Sequence, residues 1–103
     1  MNKFDLVRNI VKLIPQGKVS TYGNVAAALN LKSPRIVGWA LRGNQNLTIP
    51  CHRVVKAGGL LATNFSLGGW QGQAQRLLTD GVKSKDQQII DFDKCFFDLT
   101  LKN

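Results

Sequence analysis

Residues 49–55 read IPCHRVV, which sets a thiol, the only histidine of the chain and a guanidinium on consecutive positions after a proline. A thiol attacks well only as the thiolate, and a nearby cation, helix amides or a base is what lowers its pKa. Cys51 is therefore a candidate nucleophile. Adjacent side chains point in different directions, so a direct Cys51–His52 ion pair is geometrically awkward. A relay through a bound water fits better, with His52 as base and a carboxylate elsewhere orienting it. The same residues also suit a structural cysteine beside a satisfied histidine, and the dipeptide alone does not separate the two. Two cysteines and one histidine fall short of a four-ligand zinc site unless carboxylates help, so no metal is expected. Cys51 and Cys95 form no CxxC pair, which removes a redox motif and makes a reduced compartment the default.

The electrostatics around that segment are one-sided. Residues 1–56 carry nine basic side chains against one acid, Asp5, whereas residues 57–103 hold five of each sign, and the net charge is +8. A positive field confined to half the chain favours a polyanion, most commonly nucleic acid. The basic residues are dispersed over several elements and form no amphipathic cluster, which argues against a membrane surface. With no apolar run of spanning length and charges through the first residues, the chain reads as soluble, with a prokaryotic cytoplasm as the expected location.

The elements that must hold the segment follow from periodicity. Phe4, Val7, Val11 and Ile14 recur at helical spacing up to a Pro15-Gln16-Gly17 breaker. Thr21 can cap a helix through YGNVAAALN, and LKS makes a tight connection. Ser33-Pro34 is a cap and first-turn signature for a further helix that stops at Gly43. At about 100° per residue, Arg35, Gly38, Trp39 and Arg42 share one side of it, opposite Ile36, Val37, Ala40 and Leu41. Two short helices joined tightly resemble a helix-turn-helix whose second helix enters a DNA groove. Beyond the cysteine, KAGGLLATNFSLGG predicts a hairpin or wing loop. Trp70, Ala74, Leu77 and Leu78 predict a core-packed helix up to Gly81, and the tail adds a final strand. The fold class is mainly α with a small β contribution, one winged helix-turn-helix domain over residues 1–103.

In order and spacing, IPQGKVSTYGNVAAA, SPRIVGWALRGN, IPCHRVV, NFSLGG and LLTDGV closely resemble the DNA-binding catalytic domain of the O6-alkylguanine-DNA alkyltransferases. The resemblance covers residues 4–82, with a weaker echo through 83–103. It implies that Cys51 accepts the alkyl group from O6-alkylguanine in duplex DNA in one displacement, with no cofactor, and is consumed by it. His52, through a water, would take the thiol proton. Tyr22 would help rotate the target phosphate and protonate the leaving guanine. Arg35 would plug the stack after the base flips, and Asn44 would hold the turn before the active-site segment. Phe65 would match the family's tyrosine beside the pocket, with Val54 and Ser66 also lining the base site. Thr21, Ser33, Pro34, Gly38, Trp39, Arg42 and Arg53 would face the DNA.

The chain departs from the family pattern in several places. It contains no glutamate, and Asp80, one methylene shorter, stands where the partner of the histidine belongs and is expected to orient it less well. Phe65 lacks the tyrosine hydroxyl, Gln73 or a neighbour replaces a lysine, and Gln45 replaces a proline in a loop that is slightly short. The amino-terminal domain of full-length members has no counterpart in the 103 residues. Stand-alone domains of this size resemble the alkyltransferase-like proteins, which bind alkylated guanine without repairing it and flag it for nucleotide excision repair proteins. Those typically carry tryptophan where Cys51 stands, so the thiol favours transfer by a monomer. A winged-helix regulator without lesion chemistry is the remaining alternative, and it leaves Tyr22, Arg35, Asn44, Cys51 and His52 together as coincidence.

Overall fold

The computed structural model describes residues 2–101; Met1, Lys102 and Asn103 of the single-domain span lie outside the described residues. Helix α1 (Lys3–Val11) starts at Asn2, whose side chain accepts from the Asp5 amide at 2.9 Å, and buries Val7 and Val11 completely. The chain then turns through the Pro15–Gly17 breaker into a two-residue strand β1 (Ser20–Thr21).

Helix α2 (Tyr22–Ala28) begins where expected, with Thr21 Oγ1 accepting from the Asn24 amide at 3.0 Å. It ends with Asn30 in the left-handed region at φ 57°, while Leu31 N–H and Asn30 N–H reach back to the carbonyls of Ala26 and Ala27. That paired closure satisfies the last carbonyls of the helix and turns the chain sharply. Helix α3 (Pro34–Arg42) follows, capped by Ser33 with proline in its first turn. Its faces divide as the angular spacing predicts: Val37, Ala40 and Leu41 are buried, while Arg35, Trp39 and Arg42 are exposed. Arg8 of α1 donates through Nε and Nη2 to Ala40 O at 3.2 and 3.1 Å, tying the end of α3 to α1.

Strand β2 (Val54–Val55) pairs in parallel with β1, Ser20 opposite Val54 and Thr21 opposite Val55. Successive side chains on a strand point to opposite faces. Val54 thus packs with α1, α2 and α3 in one core, and Val55 packs with Leu61, Leu77 and Val82 in a second. Helix α4 (Gly69–Thr79) roofs the second core. Its exit repeats the device of α2: Gly81 is left-handed at φ 94°, with Val82 N–H bonding Leu77 O and Gly81 N–H bonding Leu78 O.

Some expectations are corrected. Of the hairpin or wing loop expected over 56–69 the hairpin is absent; Lys56 N–H closes on Leu60 O, Leu60 makes one antiparallel bridge to Gln88, and Leu61 N–H bonds Gln87 O at 2.8 Å. The hairpin lies later, β3 (Ser84–Lys85) against β4 (Gln88–Ile89), turned by Asp86 and Gln87, both at positive φ. Leu78, expected in the core, is 54% exposed, since it stands about 100° around the helix from buried Leu77. The tail supplies the expected final strand only as the two residues of β4. It forms a short helix α5 (Phe92–Cys95) and then one parallel bridge, Phe96 beside Val19, before Leu99 plugs the first core. Asn24 holds it there, donating to Asp98 Oδ1 and accepting from Leu99 N–H, both at 2.8 Å.

Two glycines on helices have opposite surroundings. A methyl group at Gly72 would collide with the Leu67 carbonyl, whereas at Gly38 it would meet nothing within 4 Å. Gly72→Ala should lower stability by about 1–3 kcal/mol through overpacking. Gly38→Ala should raise it by up to about 1 kcal/mol through helix propensity. Chemical denaturation of both variants checks the pair; equal shifts would mean that α4 does not pack this closely on the 65–69 turn.

Candidate active site

Cys51, His52 and Arg53 form a single 3-10 turn, closed by the Arg53 amide on Pro50 O at 3.0 Å. Because β2 starts at the next residue and pairs with β1, this turn is fixed beside the first residue of α2. Tyr22 and Cys51 consequently line one cavity of about 410 Å³, with Pro34, Arg35, Gly38 and Arg42 of α3 on one wall and Phe65 and Ser66 on another. A second cavity of about 280 Å³ reaches Cys51 from the side of His52, Asn44, Leu47 and Arg76.

Asn44 lies at the hinge between α3 and this turn. Its amide nitrogen donates to Asn46 O at 2.9 Å and to Cys51 Sγ at 3.3 Å, and its oxygen accepts from Asn46 N–H at 3.2 Å. Asn46 repeats the pattern on Thr48, accepting from both its amide and its hydroxyl. Nested side-chain turns therefore shape the short loop without the customary proline. An N–H donor aimed at sulfur stabilises the thiolate, but burial acts more strongly and pushes the Cys51 thiol above its ordinary pKa.

His52 Nε2 lies 2.8 Å from Asp80 Oδ2. A carboxylate only accepts, so Nε2 carries the proton and Nδ1 is left as the basic nitrogen. Among the described residues no hydrogen bond joins the ring to Cys51, in keeping with a relay rather than a pair. Burial lowers the His52 pKa despite the opposing effect of Asp80, so the ring is neutral and available as a base. Asp80 orients the ring in spite of its shorter side chain. It caps α4, and Arg53 donates to it through Nε at 2.8 Å and Nη2 at 3.2 Å. Burial pushes this carboxyl up, yet the hydrogen bonds from Arg53 and His52 and their charges outweigh it, and its pKa falls below the ordinary value.

Arg53 is accordingly a correction: expected at the DNA face, its guanidinium is turned inward onto Asp80 and, through Nη1, onto Ile14 O at 3.0 Å. Val54 is another, being fully buried in the first core with its side chain off the cavity wall. Thr21 and Ser33 spend their hydroxyl oxygens as helix caps. Trp39 stays half exposed, next to the cavity-lining residues of α3. Burial raises the Tyr22 pKa, with the nearby Cys51 adding to the effect, so the phenol keeps its proton. Sequence reasoning missed Lys56, Thr63 and Asn64 on the cavity wall. It also left Gln73 as a mere replacement, although its place among Trp70, Ala74 and Leu77, on the apolar stripe of α4, marks a buried polar side chain that needs partners.

No group of three or more metal-ligating side chains exists among the described residues, and no helix there is long and apolar enough to cross a membrane. Residues 3–82 match the family described as 6-O-methylguanine DNA methyltransferase, DNA binding domain. A bifunctional methyltransferase/endonuclease of Thermoplasma volcanium is 36% identical over 91% of this chain and 31% of its own length. The methylated-DNA–protein-cysteine methyltransferase of Methanocaldococcus jannaschii is 50% identical over 59% of this chain and 36% of its own. The chain thus spans about a third of the curated relatives it matches first. Among solved structures, an alkyltransferase-like protein of Schizosaccharomyces pombe in complex with damaged DNA containing O6-carboxymethylguanine superposes with TM-score 0.77. It is 27% identical, covering 91% of this chain and 93% of that one.

The pKa directions fix how stability responds to acid. His52 lies below its ordinary 6.5 in the folded state, so folding favours the neutral ring, and stability falls as pH drops below 6.5. Asp80 lies below 3.8, so its contribution is intact above 3.8 and disappears as pH falls through the lower folded value. Denaturant titrations between pH 8 and 3 should show both limbs, with His52→Gln removing the first. Asp80→Asn leaves Arg53 buried without its partner and should cost about 3 kcal/mol at neutral pH. A neutral-pH cost near zero would mean that Arg53 finds another acceptor.

Proposed function

The chain belongs to the 6-O-methylguanine DNA methyltransferase family, through its DNA-binding domain, and on that premise we propose that it repairs O6-alkylguanine by moving the alkyl group irreversibly to Cys51. The observation that carries this reading is a thiol on the wall of a base-sized cavity, in contact with the Asn44 amide and next to a carboxylate-oriented neutral histidine. A base inside a duplex is out of reach, so the lesion is flipped, at a cost of a few kcal/mol offset by phosphate contacts and by filling the vacated stack. This reading is supported by Arg35, Arg42 and Lys56, three basic side chains that line the same cavity as Cys51.

In the transfer, His52 Nδ1 takes the thiol proton through a water and Cys51 Sγ attacks the alkyl carbon. The carbon–O6 bond breaks with its electron pair going to guanine, and Tyr22 supplies the proton that neutralises the leaving base. His52 then returns its proton to Tyr22 or solvent. A thioether is not readily cleaved, so one protein repairs one lesion. The runner-up is a lesion sensor of the alkyltransferase-like kind, favoured by the coverage of the yeast protein over nearly the whole of both chains and by the raised pKa of the thiol.

Incubation with a duplex containing one O6-methylguanine, followed by intact mass measurement, should show a gain of one methylene that Cys51→Ala abolishes. Tighter binding to the lesion than to plain DNA with no gain in mass would instead make it a sensor. If Arg42 and Lys56 each neutralise one phosphate while Arg35 fills the stack, log Kd should change with log salt by at least about 1.8 units per decade. Arg42→Ala should then reduce that slope by about 0.9, whereas a salt-independent affinity would remove DNA as the partner.

A further inference from the structure

Gln73 is the one fully buried polar side chain on α4, and none of its hydrogen bonds goes to another side chain. Its Nε2 donates to His52 O at 3.1 Å and to Val54 O at 2.9 Å, and its Oε1 accepts from Ala62 N–H at 2.7 Å. The two carbonyls belong to the active-site turn and to the strand that follows it. The amide belongs to the residue that opens the cavity wall continuing through Thr63, Asn64, Phe65 and Ser66. One carboxamide thus spans the space between nucleophile and base-binding wall, using both donors and its acceptor.

We propose that Gln73 is a positioning residue that sets the placement of Cys51 relative to the cavity wall, and thereby its rate of reaction. Both donors and the acceptor of this fully buried side chain are used, which is the condition under which a buried polar group specifies one geometry. Glutamine is the side chain that suits all three partners: glutamate would turn an oxygen on two carbonyls, and lysine would have no acceptor for the Ala62 amide. Its neutrality has a further effect. A lysine here would bury a positive charge beneath Cys51 and favour the thiolate, whereas the carboxamide leaves the thiol governed by burial and the single Asn44 contact. Gln73 therefore acts through position rather than charge.

The inference rests on Cys51 as the reacting group, and its test is separable from the repair reading. Gln73→Met keeps volume and burial while removing every hydrogen bond, and Gln73→Lys keeps the donors to the two carbonyls. Each variant is measured at a temperature where it is folded, for lesion-DNA affinity, for single-turnover alkyl transfer, and for peptide-resolved iodoacetamide labelling of Cys51 against pH. The Met variant should bind lesion DNA with affinity close to wild type but transfer about tenfold more slowly, as expected for a misplaced nucleophile. Its labelling midpoint should move to higher pH as the Asn44–sulfur contact loosens. The Lys variant should recover most of the rate when each protein is compared at a pH above its own labelling midpoint, where added charge no longer alters the thiolate fraction. A folded Met variant with wild-type transfer and labelling overturns the proposal, as does a Lys variant no faster than Met. If the wild type transfers nothing, the repair reading fails by itself, and the labelling profiles of wild type and both variants still decide the role of Gln73. Should Met prevent folding, the Lys variant decides it against wild type: near wild-type kinetics support the proposal, and a folded Lys variant about tenfold slower than wild type refutes it.

Discussion

The Asp80 carboxylate is the point on which the site converges. It ends α4, accepts two hydrogen bonds from Arg53 and one from His52, and through Arg53 is linked to the carbonyl of Ile14 in the turn after α1. A single nearly buried anion therefore registers the first turn of the chain, the nucleophile turn and the end of the last long helix. The pair survives burial because both carboxylate oxygens are occupied and the guanidinium is bidentate, the conditions under which attraction offsets desolvation. The arrangement also fixes which nitrogen of His52 is basic. Structure and chemistry share the same three side chains, so the shorter carboxylate orients the ring as long as Arg53 holds it from the other side.

The second constraint is the parallel pairing of two two-residue strands. It is too short to count for much as a sheet, yet it sets Tyr22 beside Cys51 and divides the interior in two, Val54 toward one core and Val55 toward the other. Secured on both cores, the turn between Pro50 and Val54 cannot drift from α3. The basic half of the chain is likewise divided. Arg8, Lys18 and Arg53 donate to backbone carbonyls or to Asp80, while Arg35 and Lys56 line the cavity with Arg42, whose Nε also donates to Gly38 O at 3.5 Å. The charge available to a polyanion is thus smaller than the composition suggests and more sharply placed.

The helices were legible because their start signals are local: Thr21 and Ser33 accept from the amides that their positions imply, and Gly81 adopts the left-handed exit. The hairpin at 84–89 was not. Its two-residue turn is Asp86-Gln87 where asparagine-glycine or aspartate-glycine would announce it, while the glycine-rich run upstream carries the signal without the strands. In the site, residue types gave Cys51 and His52, and the family resemblance supplied Asn44 and Asp80. The inward path of Arg53 depends on a carboxylate 27 positions away, and the alternation that hides Val54 depends on a strand partner 34 positions back. Contacts of that range leave no local pattern. Gln73 lies between these cases: its place on an apolar stripe was visible, its three partners were not.

Under the proposed repair reading Cys51 would be used once, so any stray reaction would end its use. In this site burial raises the thiol pKa, and the groups opposing it are the Asn44 amide, backbone hydrogen bonding and the charge of Arg8. The resting sulfur is thus largely the unreactive thiol. A base entering the cavity would exclude more water and raise the thiol pKa further, so ionisation in advance of attack becomes less favourable as the substrate arrives. On that reading proton removal would be concerted with carbon transfer, which calls for a neutral histidine with its basic nitrogen free and a proton donor retained on the same cavity. Burial supplies both conditions, lowering the pKa of His52 and raising that of Tyr22. The same desolvation that keeps Cys51 quiet at rest would, on the proposed reaction, prepare the two groups that release it once an alkylated base is bound.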